Sequence, residues 1–241
     1  MEQARKWLAA ARSVAVLTGA GISAESGVPT FRGAGGLWRQ YRPEELATPQ
    51  AFARDPRLVW EWYDWRRQVI AQAKPHAGHR ALVELEIRKP VFTLITQNVD
   101  GLHDLAGSGK VLKLHGDIWR LRCASCGRHW PDRRAPLPKL PPHCACGGLA
   151  RPGVVWFGEA LPEGIMMEAE HAARGAEVFL AVGTSAVVYP AAGLIPLAKQ
   201  AGVKVIEVNT ERTPFSDMAD ACLIGPAGEI LPALLREDST L

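Results

Sequence analysis

Short apolar runs, separated by more polar stretches, predict a parallel β-sheet. The runs are four to six residues long and rich in aliphatic and β-branched side chains, a pattern typical of strands buried on both faces. They lie at residues 14–18, 91–96, 111–114, 178–182, 203–208 and 221–224. Helical patterns lie between several of them, including residues 4–12 and 191–201. Strands that alternate with helices predict an α/β fold with a doubly wound parallel sheet.

Two stretches interrupt this alternation. Residues 31–84 are helical and aromatic in pattern, and residues 121–152 are rich in cysteine, proline and arginine. Prolines divide the first stretch into short helices; they are Pro43, Pro49, Pro56 and Pro75. We expect the two insertions to pack together as a small lobe. The large lobe of this single domain would then consist of residues 1–30, 85–120 and 153–241.

Composition is that of a soluble globular protein. The 241 residues are 47% hydrophobic and 22% charged, and the chain is long enough to bury a sizeable core. A net charge of +3 and a pI of about 8.7 are too weakly basic to indicate a nucleic-acid binder. No run reaches the roughly 18 apolar residues of a membrane span, and the charged amino-terminal stretch does not resemble a signal peptide. We expect a cytoplasmic protein.

Four of the five cysteines form two close pairs, and in a reducing compartment such pairs indicate a metal site rather than disulfides. They are Cys123, Cys126, Cys144 and Cys146. Four thiolates on two tight turns make a closed tetrahedral zinc site, which leaves no position for water and is therefore structural. The fifth cysteine, Cys222, lies within a predicted strand and is expected to be a buried thiol.

Three alternatives remain open for this cysteine-rich stretch. His129 or His143 could replace one sulfur ligand, and the zinc could be catalytic. The stretch could also be a zinc ribbon that binds nucleic acid through nearby arginines. Those arginines are Arg120, Arg122, Arg128, Arg133 and Arg134.

A glycine-rich turn follows the first predicted strand. Residues 19–24 read Gly-Ala-Gly-Ile-Ser-Ala, which fits the G-x-G-x-x-G/A turn of Rossmann-like dinucleotide folds. Glycines there let the backbone approach a pyrophosphate at a helix amino terminus. A plain strand-to-helix turn explains the motif equally well. The acidic ribose ligand expected about 20 residues later is missing, which argues against a hydride-transferring dehydrogenase.

Polar residues follow the predicted strands at the edge where open α/β sheets bind ligands. Asn98 and Asp100 follow one strand, and His115 follows the next. An imidazole is well suited to take a proton near neutral pH, although a lone histidine at a strand end is often structural. Two later strands end in Gly183-Thr184-Ser185 and in Asn209, where turn-forming roles are the simpler interpretation.

Together these motifs resemble the sirtuins, the NAD-dependent protein-lysine deacylases. The resemblance runs from about Val14 to Leu234 and includes several long motifs in order. The motifs are residues 19–33, Gln97-Asn98-Val99-Asp100, Leu114-His115-Gly116-Asp117, the two cysteine pairs, and residues 154–159. It implies that NAD is a co-substrate and that one structural zinc ion is bound.

The resemblance also implies roles for individual residues. His115 would be the general base, with Asn98 and Asp100 as further catalytic residues. Acylated lysines of proteins would be the substrate, received by Val154, Val155, Trp156, Phe157 and Gly158; a buried strand is the alternative interpretation of that segment. The implied NAD-site residues are Gly19, Ala20, Gly21, Ile22, Ser23, Glu25, Phe31, Arg32, Trp38, Gln97, Asn98, Asp100, His115, Gly183, Thr184, Ser185, Asn209 and Ala227.

A Tyr-x-x-Arg pair narrows the expected substrate. Tyr63 and Arg66 are three residues apart in a predicted helix and therefore share one face. An amphipathic helix with a solvated arginine would explain them. The pair also matches the sirtuin subgroup that removes succinyl and malonyl groups, and Ala47 resembles the small residue that leaves room for a longer acyl chain. Arginine can bind a carboxylate through two hydrogen bonds while tyrosine donates a third.

By this resemblance the acyl oxygen attacks the ribose carbon that carries nicotinamide, and nicotinamide leaves as an imidate forms between substrate and ADP-ribose. His115 then deprotonates a ribose hydroxyl, which attacks the imidate carbon, and hydrolysis releases free lysine and O-acyl-ADP-ribose. We expect a monomer that binds no specific nucleic acid and no membrane. Two other functions remain open. One is a mono-ADP-ribosyltransferase, and the other is the non-enzymatic zinc ribbon.

Overall fold

The computed structural model describes residues 1–31, 36–37 and 42–236. Arg32 and Trp38, both expected in the NAD site, lie outside the described residues. None of the helices within these ranges combines the length and the apolar character needed to cross a bilayer.

Six parallel strands form the main sheet. They are β1 (Ser13–Thr18), β2 (Val91–Thr96), β3 (Val111–Lys113), β7 (Val178–Val182), β8 (Lys204–Asn209) and β9 (Ala221–Ile224). Their order is β3-β2-β1-β7-β8-β9, and all neighbours are parallel. The order reverses direction at β1, so the carboxyl ends of β1, β2 and β7 surround the switch point where such sheets bind ligands. The doubly wound sheet expected from the sequence is confirmed.

Helices cover both faces of this sheet. The remaining elements of the large α/β layer are α1 (Glu2–Ala10), α2 (Ala20–Ala24), α6 (Ala77–Arg88), α7 (Leu102–Ala106), α8 (Glu163–Gly175), α9 (Leu194–Gln200) and α10 (Ala227–Leu235). Alternate residues of β1 enter different cores because successive side chains of a strand point to opposite faces. Val16 packs with residues of α1, α6 and α10, whereas Leu17 packs with residues of α8 and α9.

A second, smaller sheet is antiparallel. It consists of β4 (Gly116–Cys123), β5 (His129–Pro131) and β6 (Ala150–Val154), in the order β5-β4-β6. We call it the zinc-module sheet. It begins at Gly116, so it includes residues on both sides of the boundary expected near residue 120.

The helical insertion packs against the zinc-module sheet. Its helices are α3 (Pro43–Leu46), α4 (Pro49–Arg54) and the long α5 (Pro56–Gln72). Pro56 begins α5, and the Asp55 side chain caps it by accepting from Leu58 N–H at 2.9 Å. Trp60 is fully buried and its indole N–H donates to the Ala150 carbonyl of β6 at 2.7 Å. Arg67, also fully buried, donates to the Ile118 carbonyl of β4 at 3.1 Å. Around these hydrogen bonds, apolar residues of the two insertions pack into one shared core.

Candidate active site

One cavity of about 660 Å³ lies at the carboxyl edge of the main sheet. Its volume is within the range typical of small-molecule sites. Residues that follow β1, β2, β7 and β8 line one side of it, and α5 with the 154–159 segment lines the other. We call it the central cavity. It collects residues that are far apart in sequence, as the carboxyl ends of parallel strands must.

The glycine-rich turn is shaped by close backbone packing against the end of β7. Gly21 N–H donates to the Gly183 carbonyl at 2.7 Å. A Cβ at Gly21 would lie 2.7 Å from that oxygen, and a Cβ at Gly183, whose φ is +57°, would lie 2.3 Å from the Ile22 nitrogen. Only glycine avoids both contacts. The turn therefore exposes backbone at the cavity wall, as a site that admits a pyrophosphate requires.

A buried hydrogen-bond chain fixes Asn98 at the cavity. The Ser23 hydroxyl donates to Asp100 Oδ2 at 2.7 Å, so its oxygen is left to accept from Asn98 Nδ2 at 3.1 Å. Asn98 Nδ2 also donates to the Gly19 carbonyl at 2.9 Å. This pattern decides the amide orientation of Asn98. The amide nitrogen of Asn98 faces the glycine-rich turn, and the amide oxygen takes no part in these hydrogen bonds.

Asp100 and Ser23 lie behind the cavity wall rather than on it. Both are almost fully buried, and neither lines the central cavity. Burial raises the pKa of Asp100, although hydrogen bonds from Leu102 N–H and Ser23 oppose the shift. Ser23 contacts Asn98 directly, and Asp100 is linked to Asn98 through Ser23.

His115 is held in one tautomer by a backbone carbonyl. Its Nδ1 lies 2.9 Å from the Gln97 oxygen. A carbonyl can only accept, so Nδ1 carries the proton and Nε2 keeps its lone pair. Burial lowers the pKa of His115, and the Gln97 hydrogen bond only partly offsets this. A neutral imidazole with a free Nε2 on the cavity wall is suited to accept a proton.

Thr184 joins the ends of three strands at the far end of the cavity. Its hydroxyl accepts from Gln97 Nε2 at 2.8 Å, and its carbonyl accepts from Asn209 Nδ2 at 2.8 Å. Ser185 also lines the cavity. Residues 210–214, which follow Asn209, line this end as well and were not predicted from the sequence. The signal was its position directly after β8.

Some residues expected in the NAD site lie elsewhere. Ile22 and Ala227 are buried and do not line the cavity. Glu25 lines it, yet its carboxylate oxygens also accept from Gly228 N–H at 3.0 and 3.2 Å, at the beginning of α10. Phe31 and Ala20 line the cavity.

At the near end of the cavity, α5 presents Tyr63 and Arg66. The Tyr63 hydroxyl accepts from the Trp156 indole N–H at 3.0 Å, which leaves its own proton free to donate. Burial raises the pKa of Tyr63 to about 12 and lowers the pKa of Arg66 to about 10. Ala47, a buried small residue, lies on the same wall.

Arg66 has an unusual environment for a buried cation. It is 4% exposed, and its Nε and Nη1 have no hydrogen-bond partner among the described residues. Its guanidinium instead stacks over the Phe31 ring, 4.3 Å from the centroid. Buried charged groups are normally paired, so two unsatisfied donors on a buried guanidinium that lines the cavity are an unusual feature of this site.

The 154–159 segment is a turn rather than a continued strand. β6 ends at Val154, Trp156 is buried, and Phe157 is 41% exposed. Phe157 N–H donates to the Ala47 carbonyl at 2.9 Å. Val155 and Gly158 also line the cavity. The turn therefore exposes Phe157 and Gly158 beside the cavity, whereas the N–H groups of Val155, Trp156 and Phe157 are already used within the protein.

An ion pair between Arg151 and Glu159, which we call the clamp, holds this turn in place. The Arg151 guanidinium donates to Glu159 Oε1 at 2.6 Å and to Oε2 at 2.8 Å. Glu159 Oε2 also accepts from Trp156 N–H at 2.8 Å. Arg151 lies 3.4 Å from the centroid of the Trp156 ring. The clamp thus fixes the tryptophan that orients Tyr63.

The four paired cysteines meet at one point. Their sulfurs all lie within 4.8 Å of one another, with Cys123 and Cys146 at 3.5 Å and Cys126 and Cys144 at 3.8 Å. Tetrahedral zinc with bonds of about 2.3 Å requires sulfurs about 3.8 Å apart. The Cys126 N–H donates to Cys123 Sγ and lowers the pKa of that thiol. The residues fit a closed zinc site.

The alternative histidine ligands do not join this cluster. Within the part of the chain that the structure describes, the only metal-ligating group of three or more residues is the four cysteines, so His129 and His143 are not needed. Cys222 is half-buried in β9 and free, with Glu207 Oε2 at 3.9 Å from its sulfur.

Comparison with known proteins agrees with this geometry. The sequence profile of the Sir2 family matches residues 19–190. The chain is 59% identical over 209 residues to the NAD-dependent protein deacylase of Aquifex aeolicus, covering 86% of this chain and 87% of the relative. It is 56% identical over 231 residues to the NAD-dependent protein deacylase 2 of Pyrobaculum aerophilum, with coverages of 95% and 92%.

Solved structures give the same result. The crystal structure of a Sir2 homolog–NAD complex matches with a TM-score of 0.91 at 49% identity, covering 97% of this chain and 92% of the other. The profile match spans most of the sequence, and the curated relatives align along nearly their whole length. On these grounds the chain belongs to the Sir2 family.

Proposed function

We propose that this chain removes acidic acyl groups, succinyl and malonyl, from protein lysines in addition to acetyl groups. Its general activity follows from the family and from relatives that are named NAD-dependent protein deacylases: the chain is an NAD-dependent protein deacylase. The wider acyl range rests on one observation: the guanidinium of Arg66 is buried in the cavity wall, and its Nε and Nη1 have no hydrogen-bond partner among the residues that the structure describes.

A carboxylate at the end of the acyl chain would complete the Arg66 site. Two donors of the guanidinium are buried without a hydrogen-bond partner in the described part of the chain, and the Tyr63 hydroxyl has a proton to donate beside them. Leaving such donors unpaired costs free energy, and a ligand carboxylate removes that cost. A hydrogen bond to a charged group contributes about 1.5–3 kcal/mol, which corresponds to roughly 10- to 150-fold in specificity. Acetyl is small enough to enter the same pocket.

NAD fits the opposite side of the cavity. When bound, it supplies the ribose carbon from which nicotinamide departs. We propose that Asn98 and Gln97 orient the ribose and carboxamide, and that Ser23 and Asp100 act by holding Asn98. His115 Nε2 would take the proton of a ribose hydroxyl. Its free lone pair and lowered pKa support this role.

The remaining expected sites have structural support of different kinds. The exposed turn at Phe157 and Gly158, at the edge of the cavity, supports binding of an extended peptide beside it. The sulfur cluster supports a structural zinc ion. We propose a monomer, because residues of one chain line the central cavity. Light scattering tests that state. We propose a cytoplasmic location because the sulfur ligands require reduced thiols, and cell fractionation tests it.

The proposal is tested with acetyl- and succinyl-lysine peptides of the same sequence and with NAD. Arg66→Met should reduce kcat/KM for the succinyl peptide roughly 10- to 150-fold and change the acetyl value much less. Arg57→Met is the matched control, because Arg57 lies on the same helix but is exposed and paired with Glu61. Equal loss of both activities in Arg66→Met would show that the arginine supports the fold and not the acyl group.

Mass analysis of the reacted peptide separates the remaining enzymatic alternative. A deacylase removes the mass of the acyl group, whereas an ADP-ribosyltransferase adds ADP-ribose to its acceptor. Gain of ADP-ribose without loss of acyl would contradict the assignment.

A further inference from the structure

The outer face of the zinc-module sheet carries a row of cations. Arg120 and Arg122 are two residues apart on β4 and both are exposed, so they point to the same face. The register places His129 of β5 and Arg151 of β6 directly opposite Arg122. Residues opposite one another on antiparallel strands share a face. This face, which we call the arginine face, therefore bears three guanidinium groups.

Only one of these arginines is neutralised. Arg151 forms the clamp with Glu159. Arg120 and Arg122 form no ion pair with any acidic residue in the described ranges, and both side chains are accessible to solvent. Surface arginines are commonly solvated, so their exposure alone does not indicate a binding site. Their position relative to the cavity is what distinguishes them.

The arginine face adjoins the 154–159 segment. A Cβ built at Gly153 would lie 3.0 Å from the Arg120 Cβ, which places Arg120 beside the residue that precedes the segment. Glu159 ends the segment. Burial raises the pKa of its carboxyl, yet the Arg151 hydrogen bond, the Trp156 N–H and the nearby charge of Arg122 hold it below the usual value. Arg120 thus lies next to the beginning of the segment, and Arg122 lies opposite the arginine that pairs with its last residue.

We infer that Arg120 and Arg122 form a recognition surface for acidic residues that flank the acyl-lysine in a substrate protein. The inference rests on the proposed function, because it takes the 154–159 segment as the place where the substrate chain binds. A polypeptide that extends from the cavity along this segment passes the two free guanidinium groups. Aspartate or glutamate in that part of the substrate forms ion pairs there, whereas lysine or arginine is repelled.

The size of the surface favours a peptide over a nucleic acid. Proteins that bind DNA commonly neutralise about 6–10 phosphates, and this face offers two unpaired arginines in a chain with a net charge of only +3. Two cations beside a peptide-pairing segment suit one or two carboxylates. The surface therefore determines which lysines are chosen rather than whether they react.

Two acetyl-lysine peptides test the inference, one with aspartates and one with lysines on both flanks and otherwise identical. We expect the wild-type KM to be roughly 3- to 10-fold lower for the acidic peptide, as one or two exposed ion pairs allow. The difference should shrink in about 0.5 M NaCl, where exposed charges are screened. KM for NAD should not depend on the peptide.

Charge reversal gives the decisive comparison. Arg120→Glu should lose the preference for the acidic peptide and gain one for the basic peptide, with kcat retained. Lys139→Glu makes the same change in net charge from the exposed loop between β5 and β6 and should keep the wild-type preference. Arg122→Gln should act like a weaker Arg120→Glu, provided that its zinc content is normal, because Arg122 precedes Cys123.

The outcomes separate the inference from the proposed function. Equal KM for both peptides in an active wild-type enzyme would overturn the inference alone, as would an unaltered preference in Arg120→Glu. Duplex DNA that competes for the face while the two peptides behave alike would also overturn it. No deacylation of any peptide would instead remove the proposed function.

Discussion

The clamp between Arg151 and Glu159 should decide how well the proposed acyl pocket at Tyr63 and Arg66 is ordered. In Glu159→Gln the side chain keeps its shape but offers one acceptor and one donor where the carboxylate offered two acceptors. The carboxylate accepts two hydrogen bonds from Arg151 and one from Trp156 N–H. The amide must therefore turn its NH₂ toward one of these donors. Arg151 is left buried and only partly paired.

The loss in free energy of unfolding in Glu159→Gln can be bounded from the burial of the Arg151–Glu159 pair. Breaking a fully buried ion pair costs about 3–5 kcal/mol, whereas an exposed pair is worth about 0–1 kcal/mol. The side chains here are 10% and 24% exposed, so we expect a loss of about 2–3 kcal/mol. For a chain of this length that lowers Tm by about 4–12 °C. Glu61→Gln is the control, because its pair with Arg57 is half or more exposed, and it should change Tm by less than about 2 °C.

The variant should also lose substrate discrimination before it loses NAD binding. Trp156 stacks on Arg151 and orients the Tyr63 hydroxyl. Steady-state kinetics should therefore show a higher KM for the succinyl peptide, a smaller change for the acetyl peptide and an unchanged KM for NAD. A Tm shift no larger than that of Glu61→Gln, or equal changes for both peptides, would show that the clamp does not order Tyr63.

The pH dependence of stability gives an independent check with a defined sign. The pKa of Glu159 is lowered in the folded state. A lowered carboxyl pKa stabilises the fold above the unfolded-state pKa, and the contribution disappears as the pH falls through the folded-state value. The Tm difference between wild type and Glu159→Gln should therefore be constant at neutral pH and close below about pH 4.3. A gap that persists into strong acid would mean that lost charge is not its cause.

Two further expectations concern the base and the metal. His115→Ala should abolish turnover and leave Tm nearly unchanged. Because burial lowers the pKa of His115, wild-type kcat/KM should stay on its plateau until the pH falls below about 6.5 and decline only there. Substantial deacylation by the alanine variant would remove His115 from the base role. Cys144→Ala should lose zinc by metal analysis and unfold at a lower temperature, because structural zinc contributes to folding; a fully metal-loaded variant would contradict the ligand set.

Much of this arrangement could be predicted because the relevant signals are local. The strands appear as apolar runs, and parallel pairing brings their carboxyl ends to one edge. Asn98 and His115 therefore had to lie near each other once the sheet was predicted. The cysteine spacing likewise specifies two tight turns that can share one metal ion.

Other features depend on packing that no local pattern records. The hydrogen bond between Trp156 and Tyr63 joins residues 93 positions apart, and the burial of Arg66 depends on how α5 packs against the turn. A helix face with a solvated arginine would have had the same spacing. The place of Ser23 behind Asn98 also follows from backbone contacts at the glycine turn, which set how far the side chain can reach.

Glu25 makes the last helix a support for the first loop. The carboxylate that follows α2 holds the first turn of α10, although 203 positions separate the two residues in sequence. A shortened polypeptide that stopped before Gly228 would lose more than the apolar packing of α10, because Glu25, which lines the central cavity, would lose its hydrogen-bond donor. This hydrogen bond thus couples the loop after α2 to α10. Tags or truncations at the carboxyl terminus should therefore be judged by dinucleotide affinity as well as by yield.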